Sequence, residues 1–564
     1  MPDNRLIKHL ARRPVLVLVL LCLMAWLPGF LALPPLDRDE SRFAQASKQM
    51  IETGDYVDIR FSTLPRYNKP VGIYWLQAAA TRALGHPPYN RIWTYRLPSL
   101  IGGLLAVLLT FWCARAFAPP ETALVAAALL GSTVLLTGEA DIATTDAALL
   151  ATIVGAQAVL LRIYLFAHGQ LAKGPSLAMA LAGWAAIGAG ILLKGPVIPA
   201  VLALTALALS LWDRDWRWLR SIRAGSGVPV MLAIVLPWAI AIAFASHGAF
   251  YQRSLGHDFA AKILGGQESH GAPPGYYLAL ASVTLWPAIL FALPAIRYAV
   301  ANRTQPAIRF LLAWAASNWL MFELVPTKLP HYILPVYPAL AMVAALWLMA
   351  PRASPEPRLQ TILRIVSAAL FAIVAVACVA AIFLVPPRFG ASEPPWIACA
   401  AVIVGAALLA ATVLQIRQSH VWAVVATTAG ALALYPLLTA AVAPRLAPLW
   451  MSESIAAHLV KDRTADDPPP VLAGYAEPSA VFLLGTETQL ATGAHAGQTA
   501  ALQGGLALVE DHERKHFLGA LYTAGGKERT VDQLSGFDYS RGRSVHVTVY
   551  RVTPARTDTV PPPE

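Results

Sequence analysis

The sequence predicts a polytopic α-helical membrane protein that ends in a soluble α/β domain. Three observations carry this. Hydrophobic residues make up 57% of the 564 residues and charged residues only 13%, about half the usual charged share. Apolar runs near 20 residues, the length that crosses about 30 Å of hydrocarbon as a helix, recur along the chain. Residues 445–564 break that pattern and are polar. The composition excludes a disordered chain, a coiled coil and a collagen-like rod. Cys22, Cys113, Cys378 and Cys399 all lie inside apolar runs, which excludes a disulfide scaffold. The net charge is 43 − 32 = +11. Its basic residues flank the apolar runs, so they read as topology control. No nucleic-acid partner is expected.

The apolar runs fall at about 15–33, 98–117, 121–137, 143–166, 177–193, 196–212, 228–246, 277–299, 308–325, 332–350, 362–385, 396–416 and 421–443, which predicts about thirteen transmembrane helices. The first follows a basic segment at 5–13, as a signal peptide would. Its apolar core is longer than the 7–15 residues of a signal h-region and no A-x-A site follows, so an uncleaved anchor is expected. With the N-terminus inside, the short inner loops and their flanks hold Arg12, Arg13, Arg115, Arg162, Arg214, Arg217, Arg297, Arg309, Arg364 and Arg417 among others. The short outer loops hold only Lys194, Arg253, Lys262, Lys328 and Arg388. This bias fixes the orientation, and an odd span count puts the tail outside. Two domains follow: 1–444, a transmembrane domain that includes a long first outer loop at 34–97, and 445–564, a soluble C-terminal domain. In the tail, Val471–Leu472, Ala480–Leu484 and Val545–Val552 read as strands between Gly-rich turns. No internal repeat is present.

Charges at a membrane edge are costly and mark function. Asp37, Asp39, Glu40, Lys69, Asp141, Asp146, Lys194, His257, Lys328 and His331 all fall at the outer face under this topology. A cluster of both signs on one face suits a polar active site. The first loop opens with Asp39-Glu40-Ser41-Arg42-Phe43 and continues as a helix that Gly54-Asp55 ends. Ala44, Ser47 and Ile51 recur at helical spacing, as in an amphipathic helix lying on the membrane. Asp39 and Glu40 can equally serve as acids that complement the helix dipole. In Arg66-Tyr67-Asn68-Lys69-Pro70, Pro70 can start a helix. Lys69 then sits against the dipole, which points to a bound phosphate; the alternative is a solvated lysine. Asp146 is either a buried functional acid or part of an N-cap with Thr144 and Thr145. Lys194, in Leu193-Lys194-Gly195-Pro196, is either a site cation or a snorkelling one.

These residues resemble a known pattern. Asp39-Glu40-Ser41-Arg42-Phe43-Ala44, then Gly54-Asp55, Arg66-Tyr67-Asn68-Lys69-Pro70 and Tyr74-Trp75 are similar to the first periplasmic loop of bacterial GT-C glycosyltransferases, and in particular to the undecaprenyl-phosphate aminoarabinose (lipid A) transferase family. Leu192-Leu193-Lys194-Gly195 and Lys328-Leu329-Pro330-His331-Tyr332 resemble further motifs of that family. The resemblance implies a multi-pass protein of the bacterial inner membrane with its active site on the periplasmic face. It implies inverting transfer of 4-amino-4-deoxy-L-arabinose, or a related sugar, from undecaprenyl phosphate to lipid A or another envelope glycolipid, by a single copy among membrane lipids. It assigns Asp39 and Asp146 as catalytic acids, and Glu40, Arg42, Tyr67, Lys69, Lys194, His257, Lys328 and Tyr332 to substrate binding. The family has a metal-binding Glu where this chain has Asn68. Asparagine is a poorer ligand, so no cofactor is assigned and the metal is unknown.

The chemistry is consistent with those residue types. Cations beside a polyprenyl phosphate stabilise the charge that grows as the glycosidic bond breaks. A carboxylate stabilises an oxocarbenium-like carbon. With a hydroxyl acceptor, Asp39 is the expected general base; an anionic phosphate needs none. Besides a structural or regulatory membrane subunit, which would not need Asp39 and Lys69 together, two alternatives stand beside this reading. One is a polyprenyl-phosphate-sugar transferase with another acceptor, as in protein O-mannosylation. The other is a transporter of lipid-linked substrates, which would place polar groups at the midplane, often in inverted repeats.

Overall fold

The computed structural model describes residues 5–259, 271–351, 356–464 and 466–555. Among them, nine helices are long and apolar enough to cross a membrane, and the pair Pro120–Gly131 and Val134–Asp141, bent by 62°, makes a tenth span if taken as one. The protein is therefore a multi-pass membrane protein. The other three expected runs are helical but less regular. Val197–Asp213 has 17 residues, the run at 277–299 breaks into Tyr276–Thr284 and Ile289–Ala301, and Pro306–Leu324 carries Arg309 and Glu323.

The spans pack through small residues where backbones must meet. At Gly102, in Ile92–Ala114, an added Cβ would lie 2.5 Å from the Ala148 Cα of Asp146–Ala167. Ser99 also donates to the Thr144 carbonyl at 3.1 Å. This crossing sets the height of Asp146, two residues away.

The C-terminal chain forms a five-stranded sheet of β1 (Val471–Ala473), β2 (Gln489–Ala491), β3 (Gly505–Glu510), β4 (Lys527–Asp538) and β5 (Arg543–Thr553), in the order β2-β1-β3-β5-β4. Alternation on β5 feeds two cores: Val545, Val547 and Val549 pack against the helices Met451–Asp462 and Pro478–Leu484, while Tyr550 and Val552 face Gly493–Gln503 and Asp511–Thr523. Ala480–Leu484 is helix rather than strand. Pro478 opens it at a position where no N–H is needed.

The first-loop helix Asp39–Thr53 ends at Gly54 in the left-handed conformation, φ 74°, as Gly54 predicts. It does not lie open on a membrane surface. It is wedged between the end of the bundle, where Tyr95 and Ala143 meet Ala44, and the C-terminal unit, whose Phe482 joins the same cluster. Buried Lys48 donates to the Phe482 carbonyl at 3.1 Å and Gln45 to Thr486 at 2.8 Å. The Tyr539 hydroxyl meets the Asp37 N–H, and the Ser479 hydroxyl donates to the Asp37 carboxylate.

Burial, helped by the charges of Glu477 and Asp538 and opposed by the hydrogen bonds from Ser479 and Tyr539, pushes the Asp37 carboxyl up to about 7. A carboxyl whose folded pKa is raised holds its proton more tightly when docked. Between its ordinary value of 3.8 and about 7, the docked form binds more protons, so docking weakens as pH rises through that window and is level above it. The melting temperature in detergent is expected to fall from pH 5 to 7.5 by more in the wild type than in Asp37→Asn. Parallel curves would show that Asp37 titrates as a surface acid.

Candidate active site

A cavity of about 660 Å³ opens between the first loop and the near ends of six spans. Asn68, Lys69 and Pro70 come from the first loop, Asp146 from the start of Asp146–Ala167, Lys194 from the end of Leu177–Lys194, and Tyr332 from the short helix Pro330–Val336. Leu149, Ile191, Val235, Trp238 and Met321 line it further along the helices. The cavity is therefore amphipathic, with charge at the first-loop end and an apolar wall towards the bundle.

Local sequence explains how the charges arrive there. Gly195 takes φ 64° and stops its helix, so Lys194 occupies the last turn. Asp146 occupies the first turn of its own helix. Each charge complements the dipole end it sits on. Lys194 Nζ lies 2.5 Å from Asp146 Oδ1 and 4.9 Å from the Tyr332 ring centroid. The other Asp146 oxygen, Oδ2, accepts from Thr145 at 2.9 Å. Both side chains are under one-tenth exposed, so the pair is held where its field is strong. The helix Gly72–Leu84 starts beside this pair: a Cβ on Gly72 would come within 2.7 Å of the Leu192 carbonyl oxygen. That close approach brings Lys69, three residues earlier, to the Lys194 end of the cavity. The helix begins at Gly72 and not at Pro70, so Lys69 stands before its N-terminus.

The remaining expected residues take other places. Glu40 is not a cavity residue. Its carboxylate is bound by Arg96 through Nε at 2.7 Å and Nη2 at 2.9 Å, and by the N–H groups of Ala143 and Leu36 at 2.8 Å. Four donors saturate it, and it serves as the anchor of the first loop. Lys328 is buried and turned away as well, donating to the carbonyls of Ala272 and Val325 at 2.8 Å each. It ties down the turn that delivers Tyr332. Tyr67 donates to Asp58 at 2.8 Å and packs edge-on against Phe250, which lines the cavity. Asp39 is 61% exposed and sits 3.8 Å from Arg42. Neither lines the cavity, although the charge of Asp39 reaches Glu139 and His331. The backbone of His257 lies in the π-helix Gln252–Phe259, and its side chain lies outside the described residues.

Glu139 is the residue the sequence reading missed. It is buried, accepts from the Thr144 hydroxyl at 2.7 Å and lies 3.7 Å from His331 Nδ1. An acid directly after the apolar run at 121–137 is the signal that marks it. Among the described residues no three His, Cys, Asp or Glu side chains converge as metal ligands do, and Asn68 offers only a weak amide donor.

A bundle of spans whose long first loop closes over their ends defines the class: a multi-pass membrane protein with a folded C-terminal unit on that loop. The chain superposes on ArnT from Cupriavidus metallidurans bound to undecaprenyl phosphate with a TM-score of 0.74 at 22% identity, covering 95% of this chain and 97% of that one. The apo form of that protein gives 0.71 at 21% identity, with the same coverage. A family model for dolichyl-phosphate-mannose-protein mannosyltransferase matches residues 16–249.

In sequence the chain resembles the aminoarabinose transferase family. It is 32% identical over 310 residues to an undecaprenyl phosphate-α-4-amino-4-deoxy-L-arabinose arabinosyl transferase of Pseudomonas paraeruginosa, over 54% of each chain. It is 29% identical over 334 residues to the transferase of that name from Edwardsiella ictaluri, over 58% of each. The chain thus spans about half the length of the curated relatives it matches.

Proposed function

We propose that this protein is a glycosyltransferase of the bacterial inner membrane that moves a sugar from a polyprenyl phosphate to an envelope acceptor on the periplasmic face. The donor is undecaprenyl phosphate carrying 4-amino-4-deoxy-L-arabinose or a related sugar, and the acceptor is a lipid A phosphate or a similar glycolipid. A single copy carries the site. One observation supports this above all: Lys69, Asp146, Lys194 and Tyr332 meet in one amphipathic cavity. An isoprenoid phosphate needs both an apolar wall and cations, and an unlinked sugar or a bare ion needs no such wall.

Lys69 and Lys194 face the donor phosphate and hold the charge that develops on it as the glycosidic bond breaks. Arrival of the phosphate offers Lys194 a second anion beside Asp146, so the carboxylate is released towards the anomeric carbon, where positive charge grows. Asp39 and Arg42, at the exposed start of the first-loop helix, orient the acceptor. Inversion follows when the acceptor attacks from the face opposite the phosphate.

Asp39→Ala and Lys69→Ala are each expected to lower transfer by about 10²–10³-fold while the protein folds and inserts. The assay uses a lipid-linked sugar in detergent, and full activity in both variants would refute the assignment. A second reading, transfer to a protein hydroxyl, is favoured by the mannosyltransferase family match at 16–249. Offering lipid A and an unstructured Ser/Thr peptide side by side separates the two acceptors.

A further inference from the structure

We infer that the end of the bundle opposite the active site binds one anionic glycerophospholipid, with an acyl chain in an apolar cavity and the phosphate on a row of arginines. The inference goes beyond the transfer reaction and does not rest on it. A second cavity, of about 390 Å³, lies between the spans Asp146–Ala167, Leu177–Lys194, Val197–Asp213 and Ala224–Ala245, with Leu219 and Ile222 at its far end. Ile163, in its lining, stands about 25 Å along its helix from Asp146. Every lining side chain among the described residues is apolar, and Trp184, whose ring carries a donor, gives its N–H to the Ile222 carbonyl at 2.9 Å. Apolar cavities stay dry and take hydrocarbon. Ala203, in the lining, is exposed, so a chain can enter from the side.

The segment across this end supplies the charge. Arg217–Ile222 is a 3₁₀ helix, in which side chains three apart eclipse. Leu219 and Ile222 form one row, which lines the cavity. Arg217 and Arg220 form the next, and Arg223 extends it as the chain leaves the helix with φ 54°. All three arginines are exposed, and none is in an ion pair among the described residues. The acids of the segment are engaged elsewhere. Asp213 accepts from Tyr164 at 2.6 Å, pairs with Arg309 and lies 3.2 Å from His168 Nε2, while Asp215 accepts from the Arg217 N–H at 2.9 Å. Trp212 and Trp216 are exposed beside the arginines, as aromatic residues are at headgroup level. The Trp184 ring lies against the Gly227 backbone, where no Cβ would fit, and so pins the segment to the spans. Under the orientation read from loop charge, this end faces the inner leaflet. Charges that only set topology need to lie near a span end, and they need no apolar cavity beside them. Cavity and arginines together fit a lipid with a hydrocarbon chain and a net negative headgroup. Pro199 lines both cavities, so the donor's isoprenoid tail is the rival occupant. That tail enters from the other end and brings no charge to the arginines.

The test uses the full chain in detergent, titrated with dioleoyl phosphatidylglycerol or dioleoyl phosphatidylcholine and read by native mass spectrometry. One phosphatidylglycerol is expected to bind about tenfold more tightly than phosphatidylcholine, or better. Arg220→Gln is expected to weaken phosphatidylglycerol binding about fivefold, and the triple variant Arg217→Gln, Arg220→Gln, Arg223→Gln about a hundredfold, with phosphatidylcholine binding unchanged. These side chains are exposed and unpaired, so the variants fold. Ala203→Phe, which fills the cavity at an exposed position, is expected to weaken both lipids about tenfold. Undecaprenyl phosphate is expected to bind alongside the phosphatidylglycerol. The inference is overturned if the two phospholipids bind alike, if the triple variant keeps the preference for phosphatidylglycerol, or if Ala203→Phe binds as the wild type does. Displacement of phosphatidylglycerol by undecaprenyl phosphate gives the cavity to the donor tail and overturns it too. A protein that transfers no sugar can pass every arm, and an active one can fail them, so this inference and the proposed function fall separately.

Discussion

Lys194→Met is expected to reduce sugar transfer by about 10²–10³-fold and to destabilise the protein by ~3–5 kcal/mol. The two effects have one origin. Lys194 and Asp146 are both more than nine-tenths buried and 2.5 Å apart, so removing the ammonium leaves a poorly solvated carboxylate without its counter-charge. The double variant Lys194→Met with Asp146→Asn separates structure from chemistry. Two neutral side chains of similar size no longer carry the desolvation cost of an unpaired charge, so most of the lost stability returns. Transfer does not return, because the phosphate has lost its cation. Thermal unfolding in detergent and a turnover assay on the same samples decide the matter. Recovery of transfer in the double variant would make the pair a scaffold and nothing more.

The second large effect is expected at Arg96→Met. Arg96 is fully buried and bridges two parts of the chain. It holds Glu40 with two hydrogen bonds and donates to the carbonyls of Phe30, Leu33 and Pro34 at 3.0, 2.7 and 2.9 Å. Those carbonyls terminate the helix Pro14–Ala32, where no helical N–H is available to them. The substitution leaves a buried carboxylate and three carbonyls without their donor, a loss of ~3–5 kcal/mol or more. The first loop should open to proteases ahead of the bundle. Transfer should fall as well, since Asp39 adjoins Glu40 and Lys69 follows on the same loop. A cleavage pattern matching the wild type would show that the C-terminal unit alone holds the loop.

Local signals carried much of the site. Gly195 after Lys194, Gly54 after the first-loop helix, and an acid at the head of an apolar run each state a backbone conformation or a desolvation cost that holds in any fold. Partner choice carried no such signal. Glu40 and Asp39 are adjacent acids in one helical turn, yet a helix turns 100° per residue, so one meets Arg96, 56 positions away, and the other faces water. Lys328 and Lys194 both sit in short apolar turns, and only the packing decides which ammonium finds a carboxylate and which finds carbonyls. Glu139 and His331 are 192 positions apart and pair only because the bent span Val134–Asp141 returns to the turn 330–336.

From the residues alone it follows that the chain crosses a membrane many times, which face gathers its charges, and where helices end at that face. These are properties of transfer free energy and backbone sterics, which each segment expresses alone. Tertiary structure decided which of the gathered charges share a cavity, that the C-terminal unit clamps the first-loop helix, and that Glu40 and Lys328 are tied up in hydrogen bonds while Lys69, Asp146 and Lys194 line the cavity. A charge's role depends on what lies within a few ångströms of it, and those neighbours come from distant parts of the chain.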